Sequence, residues 1–288
     1  MSRIVYVDGE YVPEEQAKVS LFDRGYLFGD GVYEVVPVVR GRLVDADRMI
    51  ERLGNSLDGL EIGWPLPPEE YLAVHEELIR RNRLGEGMIY SQVTRGVAER
   101  DFPFPRRAMP VMSAFPKKMV IIDNPRAETG VSVAFVEDMR WKLRNIKSIA
   151  LLAQVLAKQQ AVEKRAFEGW MVDEAGNVTE GTSSTAYIVR DGRLVARPLE
   201  TEGGRILPGI RRSVLLELAE ADGLEVDLRP FSTDEALQAD EALLSSATVG
   251  VLPVVEIEGK LIGGGQPGPV FRRLRQLYMN RIMEQVGA

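Results

Sequence analysis

The chain has 288 residues, 45% of them hydrophobic and 27% charged, which is typical of a globular protein and not of disordered or fibrous chains. A formal net charge of −7, carried by interleaved acidic and basic residues, gives no reason to expect nucleic acid or an anionic membrane as a partner. Cysteine is absent, which excludes disulfides, thiolate metal sites and cysteine nucleophiles, and no stretch approaches the ~20 apolar residues of a membrane span.

The first residues do not have the pattern of a signal peptide. Residues 1–16 include Asp8, Glu10, Glu14 and Glu15 and contain no long apolar core. We therefore expect a cytoplasmic location.

The first third of the sequence predicts hairpins followed by helices. Asp8-Gly9 lies between two short apolar runs, and Arg40-Gly41-Arg42 lies between Val35–Val39 and Leu43–Val44, so each is predicted to turn a hairpin. Two helices are expected next, one after the capping residues Asp45 and Asp47 and one starting at Pro67-Pro68. A strand is expected over 88–95, followed by a stiff loop at Phe102–Pro105 because alternate prolines remove backbone donors.

A loosely patterned stretch around 116–129 is the expected linker between two domains, 1–118 and 119–288. The second domain is expected to begin with an alternating strand at 131–135. After Lys147, residues Ile149, Leu152, Ala153 and Leu156 predict an amphipathic helix, which places the lysine at a strand-to-helix junction. Strands and helices follow one another without a regular βαβ rhythm, so the predicted fold class is α+β.

Further hairpins are expected at 174–177 and 191–192, and helices at Ile210–Ala221, after the Ser232/Glu235 capping pair, and over the last residues from Val270 to Gln285. The chain has a single histidine, His75, which lies among Leu72, Leu78 and Ile79 at helical spacing. A structural role is therefore expected for it. Without a second imidazole, serine triads and zinc sites are disfavoured, and no metal site is predicted.

Several residues that could react or bind an anion lie at the ends of predicted helices and strands. Lys147 precedes a predicted helix, Glu180 ends a predicted strand, and both Gly209-Ile210-Arg211 and Ser245–Thr248 lie at turns that suit an anion. Each of these positions also has an ordinary explanation as a surface or turn residue. Nucleotide-binding glycine fingerprints are absent.

Taken together, the motifs resemble the fold-type IV pyridoxal-phosphate enzymes, in particular the D-amino-acid aminotransferase type. The resemblance extends in order over nearly the whole chain. Its segments are Asp23–Glu34, Ile50–Leu53, Val93–Gly96, Phe135–Trp141, Ile146–Ser148, Leu156–Gln159, Val178–Gly181, Ile206–Ile210 and Pro253–Ile262.

The resemblance implies a two-domain α+β enzyme with pyridoxal 5′-phosphate in the cleft between its domains. Lys147 matches the lysine that carries the cofactor as a Schiff base and moves the substrate proton, and Glu180 matches the carboxylate that pairs with the pyridine nitrogen. Arg52 matches the phosphate-binding arginine. Leu207 would pack on the ring, and the remaining phosphate contacts would come from Ile210, Arg211, Ser246, Ala247 and Thr248.

For the substrate, Tyr33 and Arg100 match residues that bind the α-carboxylate, with Arg100 contributed by the neighbouring subunit of a homodimer. The sequence departs from the family pattern here: an Arg-x-His motif becomes Arg100-Asp101-Phe102. Pro37 replaces a lysine, and Thr185 replaces an asparagine. These changes affect the substrate pocket and leave the cofactor residues intact.

The implied activity is ping-pong transamination between D-amino acids, such as D-alanine and D-glutamate, and 2-oxo acids. Alternatives within the fold are an (R)-selective amine transaminase, a branched-chain L-amino-acid aminotransferase and an aminodeoxychorismate lyase. The loss of the histidine at Phe102 favours amines, because a pocket with fewer carboxylate donors accepts a substrate that has no carboxylate. A non-catalytic protein that binds the cofactor is an alternative of a different class.

Overall fold

The computed structural model describes residues 2–202 and 204–287. The chain forms two compact units. Unit 1 comprises Met1–Ile121 and Ile146–Leu151, and unit 2 comprises Ile122–Asn145 and Leu152–Ala288. The first boundary, after Ile121, lies close to the boundary predicted after residue 118. The 146–151 segment, which was predicted to belong to the second domain, belongs to unit 1.

Within its described residues, unit 1 has a six-stranded antiparallel sheet with the strand order β2-β1-β6-β5-β3-β4. Three helices accompany it. The strands are β1 Ile4–Val7, β2 Glu10–Pro13, β3 Gly31–Val39, β4 Arg42–Leu43, β5 Gly87–Thr94 and β6 Val111–Lys118, and the helices are α1 Arg24–Phe28, α2 Ala46–Gly59 and α3 Pro68–Asn82.

The two predicted hairpin turns of unit 1 are confirmed. Asp8 and Gly9, with φ of 46° and 96°, connect β1 to β2, while Arg40 and Gly41, with φ of 50° and 72°, connect β3 to β4. Two successive left-handed residues give the turn the same twist as the strands, which is why such turns close two-residue hairpins.

Helix α2 packs against β3 and buries one face. Met49, Leu53 and Leu57 recur at helical spacing and are at most 1% exposed. Burying side chains of this size stabilises the unit by ~2 kcal/mol each. The packing fixes the face of α2 on which Arg52 and Ser56 are also buried.

The 146–151 segment belongs to unit 1 because its backbone is hydrogen-bonded to β3. Tyr33 N–H donates to Lys147 O at 3.0 Å, Ile149 N–H donates to Gly31 O at 3.0 Å, and Val32 and Ser148 form an antiparallel bridge. Lys147 thus lies on a short extended segment. The prediction that it directly precedes a helix is wrong, since the next helix begins only at Leu152.

The predicted linker over 116–129 is also corrected. Residues 116–118 are the end of β6, where Pro116, Lys117 and Lys118 pair with Ile89, Met88 and Gly87. Pro116 has no backbone N–H to donate. On the other side of β6, however, β1 pairs only with Ser113 and Ala114, so no hydrogen bond to β1 is lost at Pro116. A short helix, α4 Arg126–Thr129, occupies the end of the expected linker.

Unit 2 has, among residues 122–145, 152–202 and 204–287, a nine-stranded mixed sheet with the order β14-β11-β10-β15-β16-β7-β8-β9, with β17 paired to β16, and a separate β12-β13 pair. The sheet contains both parallel and antiparallel pairs, without a regular βαβ order, which agrees with the predicted α+β class. The strands are β7 Val131–Glu137, β8 Glu168–Val172, β9 Val178–Gly181, β10 Thr185–Arg190, β11 Arg193–Ala196, β12 Glu200–Thr201, β13 Gly204–Arg205, β14 Val226–Leu228, β15 Glu241–Ser246, β16 Gly250–Ile257 and β17 Lys260–Leu261, and the helices are α5 Leu152–Glu163, α6 Ile210–Ala221, α7 Thr233–Leu237 and α8 Pro269–Val286.

Helix α5 buries a stripe of alanines beside the predicted leucines and not the leucines themselves. Ala157 and Ala161 are its buried residues, packed on Ala134, Val136 and Met171. Small side chains let the helix approach the sheet closely, so the larger Leu152, Val155, Leu156 and Val162 point outward and are 48–71% exposed. The apolar pattern marked a face that stays uncovered in this single chain.

Helix α7 begins with the predicted capping box: Ser232 accepts from Glu235 N–H, and the Glu235 carboxylate accepts from Ser232 N–H. None of the helices in the described part of the chain is long and apolar enough to cross a membrane. Within residues 2–202 and 204–287, no cluster of three or more His, Cys, Asp or Glu side chains is arranged to hold a metal ion.

Candidate active site

Lys147 lies beside Tyr33 and α2 in unit 1. Its ammonium nitrogen is 4.1 Å from the centre of the Tyr33 ring, and its backbone N–H donates to Ser56 Oγ at 3.2 Å. The backbone of Lys147 is therefore hydrogen-bonded on two sides, to β3 and to α2. A half-buried amine on a fixed backbone is suited to covalent bonding with an aldehyde.

Arg52 is the second cation of this region, and it is held by the neighbour of Tyr33. Its Nε and Nη2 donate to the two carboxylate oxygens of Glu34 at 2.8 and 2.6 Å. The Glu34 side chain is 0% exposed and that of Arg52 is 10% exposed. This two-pronged pair orients the guanidinium, and Arg52 also makes further interactions.

In unit 2, Glu180 ends β9 in a buried position. Arg140 Nη1 donates to its Oε2 at 2.5 Å, and the backbone N–H of Leu207 donates to the same oxygen at 3.2 Å. Both hydrogen bonds end on Oε2, so among the described residues Oε1 keeps an accepting position. The predicted turn carboxylate is thus an interior group 4% exposed.

The charge of Glu180 depends on Arg140. Burial raises the pKa of Glu180 above its ordinary value, while the charge and hydrogen bond of Arg140 and the N–H of Leu207 act in the opposite direction. Arg140 is shared with Asp138, which receives hydrogen bonds from its Nε and Nη2 at 2.9 and 2.8 Å. Burial also tends to raise the pKa of Asp138, but Arg140 and Thr179 hold it below its usual range.

Apart from Arg52, which lies in unit 1, the residues expected to hold a phosphate lie in unit 2, at the start of α6 and at the end of β15 and the turn after it. Thr185 at the start of β10 pairs with Ser245 at the end of β15, and Ser246 Oγ lies 3.2 Å from Thr248 Oγ1 in the following turn. A Cβ added to Gly209 would meet Thr185 Oγ1 at 2.9 Å, so the start of α6 lies against the same edge.

Helix α6 has no side-chain cap at Gly209, so the backbone N–H groups of its first turn can serve an anion. Ile210 and Arg211, its first residues, are both buried. Arg211 Nη1 donates to Tyr278 Oη at 3.2 Å. Hydroxyls, an uncapped helix start and a buried guanidinium form a donor set for a phosphate.

Arg100 and Phe102 lie elsewhere in unit 1, on the exposed loop after β5. The Arg100 guanidinium lies over two rings, 5.4 Å from the centre of Phe28 and 5.7 Å from that of Phe102. No contact between Arg100 and Tyr33 occurs among the interactions of the described residues. The structure places Lys147 on the Tyr33 ring and pairs Arg52 with Glu34, the residue after Tyr33, but no contact among the described residues joins Arg100 or Phe102 to Lys147 or Tyr33.

Sequence reasoning missed the buried partners of the predicted residues. Glu34 and Arg140 lie inside segments that the resemblance contained, yet they were given no role. The signal was a charged residue in an apolar strand: Glu34 within Gly31–Val39, and also Glu168 at the start of β8, where it accepts from Thr182, Ser183, Ser184 and Lys158. A charge in such a position is rarely buried unless it is paired.

His75 is buried in the interior of unit 1. Its Nδ1 is 2.7 Å from Tyr71 O and its Nε2 is 3.1 Å from Ser91 Oγ. Burial lowers its pKa to about 4, so the ring is neutral at physiological pH. These contacts support the structural role expected for it.

These groups match what pyridoxal 5′-phosphate requires. The cofactor needs an amine for its aldehyde, a carboxylate for its pyridine nitrogen and donors for its phosphate. Unit 1 contains the amine of Lys147 and the guanidinium of Arg52, and unit 2 contains the open oxygen of Glu180 and the donors at the start of α6, so groups of all three kinds are present. The residues therefore fit a pyridoxal-phosphate enzyme.

Comparison with known proteins agrees with this class. Residues 31–257 match the family model described as amino-transferase class IV. The D-alanine aminotransferase of Staphylococcus haemolyticus is 38% identical over 97% of this chain and 98% of its own length, and that of Bacillus licheniformis is 36% identical over 98% of both. A branched-chain amino acid aminotransferase from T.th., solved with N-(5′-phosphopyridoxyl)-L-glutamate, superposes with a TM-score of 0.87 at 25% identity, over 99% of this chain and 95% of that one.

The chain belongs to the class IV aminotransferases. The predicted family, the mixed α+β fold of fold type IV, the transferase activity and pyridoxal 5′-phosphate, the cofactor of this class, are thereby confirmed.

Proposed function

We propose that this protein transaminates between D-amino acids and 2-oxo acids, with pyridoxal 5′-phosphate as its cofactor. The observation that carries the proposal is the near full-length similarity to D-alanine aminotransferases. In the overall reaction the amino group and a proton leave the donor Cα, the donor becomes a 2-oxo acid, and the acceptor 2-oxo acid becomes the product amino acid.

Lys147, Glu180, Arg52, Ile210, Arg211, Ser246, Ala247 and Thr248 would hold the cofactor, with Leu207 against its ring. When bound, the cofactor supplies an electron sink for the negative charge that develops at the substrate Cα. This role assignment rests on the resemblance and on the chemistry of the side chains described above.

Lys147 acts as the base. Its amine would accept the proton from the substrate Cα and deliver it to C4′ of the cofactor in the same half of the cycle, and it would move a proton in the reverse direction in the other half. The backbone hydrogen bonds to Tyr33 and Ser56 keep the lysine in place, since Tyr33 N–H and Lys147 N–H are both engaged. Ordered positioning of this kind accounts for much of the rate that a protein adds to cofactor chemistry.

Glu180 provides the negative charge opposite the pyridine nitrogen. A cation beside the open Oε1 would favour the ionised carboxylate and offset the effect of burial. The charge and hydrogen bond of Arg140 act in the same direction as such a cation, since both favour the ionised carboxylate. Arg52, held by Glu34, supplies a fixed cation for the phosphate.

Tyr33 and Arg100 are the residues proposed to bind the substrate carboxylate, with Phe102 beside them. We also propose that the protein is a homodimer in which Arg100 serves the neighbouring subunit. The exposed apolar residues of α5 and of the loop, among them Leu152 at 71%, Phe102 at 76% and Met109 at 81%, support an interface between copies. A cytoplasmic location remains a prediction.

A second candidate is (R)-selective amine transamination. Phe102 stands where the family pattern has a hydrogen-bonding histidine. Its exposed apolar ring cannot donate a hydrogen bond to a carboxylate. A substrate with an aromatic group in place of the carboxylate would bury that ring favourably.

The visible absorbance of the purified holoenzyme, measured with D-alanine, L-leucine or (R)-1-phenylethylamine in separate cuvettes, tests the proposal. We expect D-alanine to change the cofactor absorbance fastest. Faster change with (R)-1-phenylethylamine would establish the second candidate, and faster change with L-leucine would overturn both.

Two lysine variants test the role of Lys147. Lys147→Ala should lose the absorbance of covalently bound cofactor and reduce transamination by at least about a thousandfold. Lys142→Ala, which removes an exposed lysine from the same stretch, should behave as the wild type. Retained covalent binding in Lys147→Ala would overturn the assignment.

A further inference from the structure

Arg24 is a buried arginine that holds the backbone of the loop carrying Arg100. Its side chain is 4% exposed, and it belongs to α1. Nη1 donates to Asp101 O at 2.6 Å and to Pro103 O at 3.5 Å, and Nη2 donates to Phe102 O at 3.3 Å. One guanidinium thus satisfies three successive carbonyls of an otherwise exposed segment.

Asp30 fixes Arg24 and connects it to a second arginine. Its Oδ2 accepts from Arg24 Nε and from Arg95 Nε, each at 2.8 Å. Burial acts to raise the pKa of Asp30, but the hydrogen bonds from Arg95 and Arg24 outweigh it and hold that pKa below its ordinary value. The carboxylate therefore stays charged, and both arginines stay tied to it.

Arg95 holds the far end of the same loop. Its guanidinium lies 3.6 Å from the centre of the Phe104 ring and donates to the carbonyls of Leu60 and Glu61. The segment from Asp101 to Phe104 is thus fixed by a buried cation at each end, although Phe102 and Phe104 are 76% and 54% exposed.

The same arrangement reaches Arg100 through a ring. Arg24 lies 4.7 Å from the centre of Phe28, and Arg100 lies 5.4 Å from that centre. Phe28 and Phe102 are themselves 5.7 Å apart. Arg24 therefore contacts both the backbone that follows Arg100 and the ring on which its guanidinium rests.

We propose that Arg24 is a positioning residue that sets the conformation of the Arg100 loop and thereby the affinity for the substrate carboxylate. The second half of this inference rests on the function proposed above. The first half, that Arg24 orders the loop, does not depend on any substrate. Because Arg24 acts through the backbone of the loop, we expect it to affect binding and not proton transfer.

The test uses Arg24→Met, which keeps the bulk and removes every donor, and Arg24→Lys, which keeps a cation with fewer donors. Arg42→Met is the control, because Arg42 is an exposed arginine of unit 1. Hydrogen exchange of the backbone amides of residues 100–104, which excludes Pro103 because proline has no N–H, reports the order of the loop. The half-reaction with D-alanine is compared with that of D-alaninamide, which has the same side chain without the carboxylate charge.

In Arg24→Met we expect the 100–104 amides to exchange about ten times faster, with amides of α3 unchanged. The dissociation constant of D-alanine should rise about tenfold relative to that of D-alaninamide, with little change in either limiting rate. Arg24→Lys should show the same changes at about threefold, since a lysine replaces only part of the hydrogen bonding.

The proposal is overturned if Arg24→Lys, folded and loaded with cofactor, matches the wild type in both exchange and the ratio of the two dissociation constants. If Arg24→Met does not fold, Arg24→Lys alone tests the proposal. Faster exchange without a change in that ratio would mean that Arg24 has only a structural role, and it would overturn the positioning role. If the wild type does not react with D-alanine, the proposed function fails, while the exchange measurement still tests the ordering of the loop.

Discussion

Arg140 and Glu180 form a buried ion pair in which the guanidinium also serves Asp138. The side chains are 7%, 6% and 0% exposed, so one arginine compensates two interior carboxylates. Burial acts to lower the pKa of Arg140, but the charges of Glu180 and Asp138 outweigh it and raise that pKa above its ordinary value. Burial raises the pKa of Glu180, and the charge and hydrogen bond of Arg140 oppose that rise, so the ionisation of Glu180 depends on Arg140.

Arg140→Met should raise the pKa of Glu180 further, because burial then acts without its main opposing charge. Transamination at pH 7 should fall roughly ten- to hundredfold, and the activity should rise with pH over a higher range than in the wild type. The pH profile of the D-alanine half-reaction measures this shift. Arg140→Lys, which keeps the charge, should recover part of the loss; an unshifted profile in Arg140→Met would contradict the dependence.

Glu34→Gln should weaken cofactor binding without removing the arginine. A neutral amide can no longer hold Arg52 at both oxygens as an ion pair, so the guanidinium loses its fixed orientation. We expect the dissociation constant of pyridoxal 5′-phosphate to rise about tenfold, corresponding to the loss of one charge-assisted hydrogen bond. Equilibrium dialysis against the free cofactor measures this dissociation constant. Glu51→Gln, on the exposed face of α2, the helix that carries Arg52, should leave the constant unchanged.

His75 should make the stability depend on pH in a defined window. Its pKa is lowered by burial to about 4 from the ordinary 6.5, so the unfolded chain binds more protons than the folded protein between these values. The buried neutral imidazole thus gives the folded protein a stability that is fully present above pH 6.5 and is lost as the pH falls toward 4. The difference in unfolding free energy amounts to about 3 kcal/mol.

Urea unfolding at several pH values, compared between the wild type and His75→Gln, isolates this term because the chain has a single histidine. The wild type should lose stability relative to the variant as the pH falls through the window. An NMR titration of the imidazole provides a second measurement, and a resonance that titrates near 6.5 in the folded protein would contradict it.

Gly96 should tolerate no side chain. Its φ is 103°, and a Cβ there would meet Met109 O at 1.9 Å, so the backbone of the loop would have to move. Gly96→Ala is expected to destabilise the protein by at least ~3 kcal/mol. Gly9→Ala is the matched comparison, because Gly9 has φ of 96° with nothing within 4 Å of the added Cβ. It should lose only about 1 kcal/mol to backbone strain in the same urea unfolding series.

Local signals in the sequence were sufficient where the structure is locally determined. Asp8-Gly9 and the Ser232/Glu235 capping box act within a few residues, and both lie where they were predicted. The bounds of α6 were also predicted to the residue, because Gly209 and the apolar spacing after it are local features. The residues assigned to the cofactor remain predictions that the variants above test.

The errors arose where distant parts of the chain decide the outcome. Pairing with β5 extends β6 through Lys118, and pairing with β3 keeps the residues directly after Lys147 extended, so the helix starts only at Leu152. The predicted leucines of α5 stay exposed, since the alanines beside them pack closely against the sheet. Glu34 and Arg140 need partners 18 and 40 residues away, and no local pattern reveals such a pairing.

The return of the 146–151 segment to unit 1 means that neither unit is a continuous stretch of sequence. The chain leaves unit 1 after Ile121, re-enters it at Ile146 and leaves it again after Leu151. A fragment cut at residue 121 would therefore deprive β3 of the strand that carries Lys147 and leave the backbone groups of Gly31 and Tyr33 without their partners. Chimaeras between relatives would have to exchange this short segment together with the first 121 residues, so the lysine is inherited with the Tyr33 strand although it lies in the other half of the sequence.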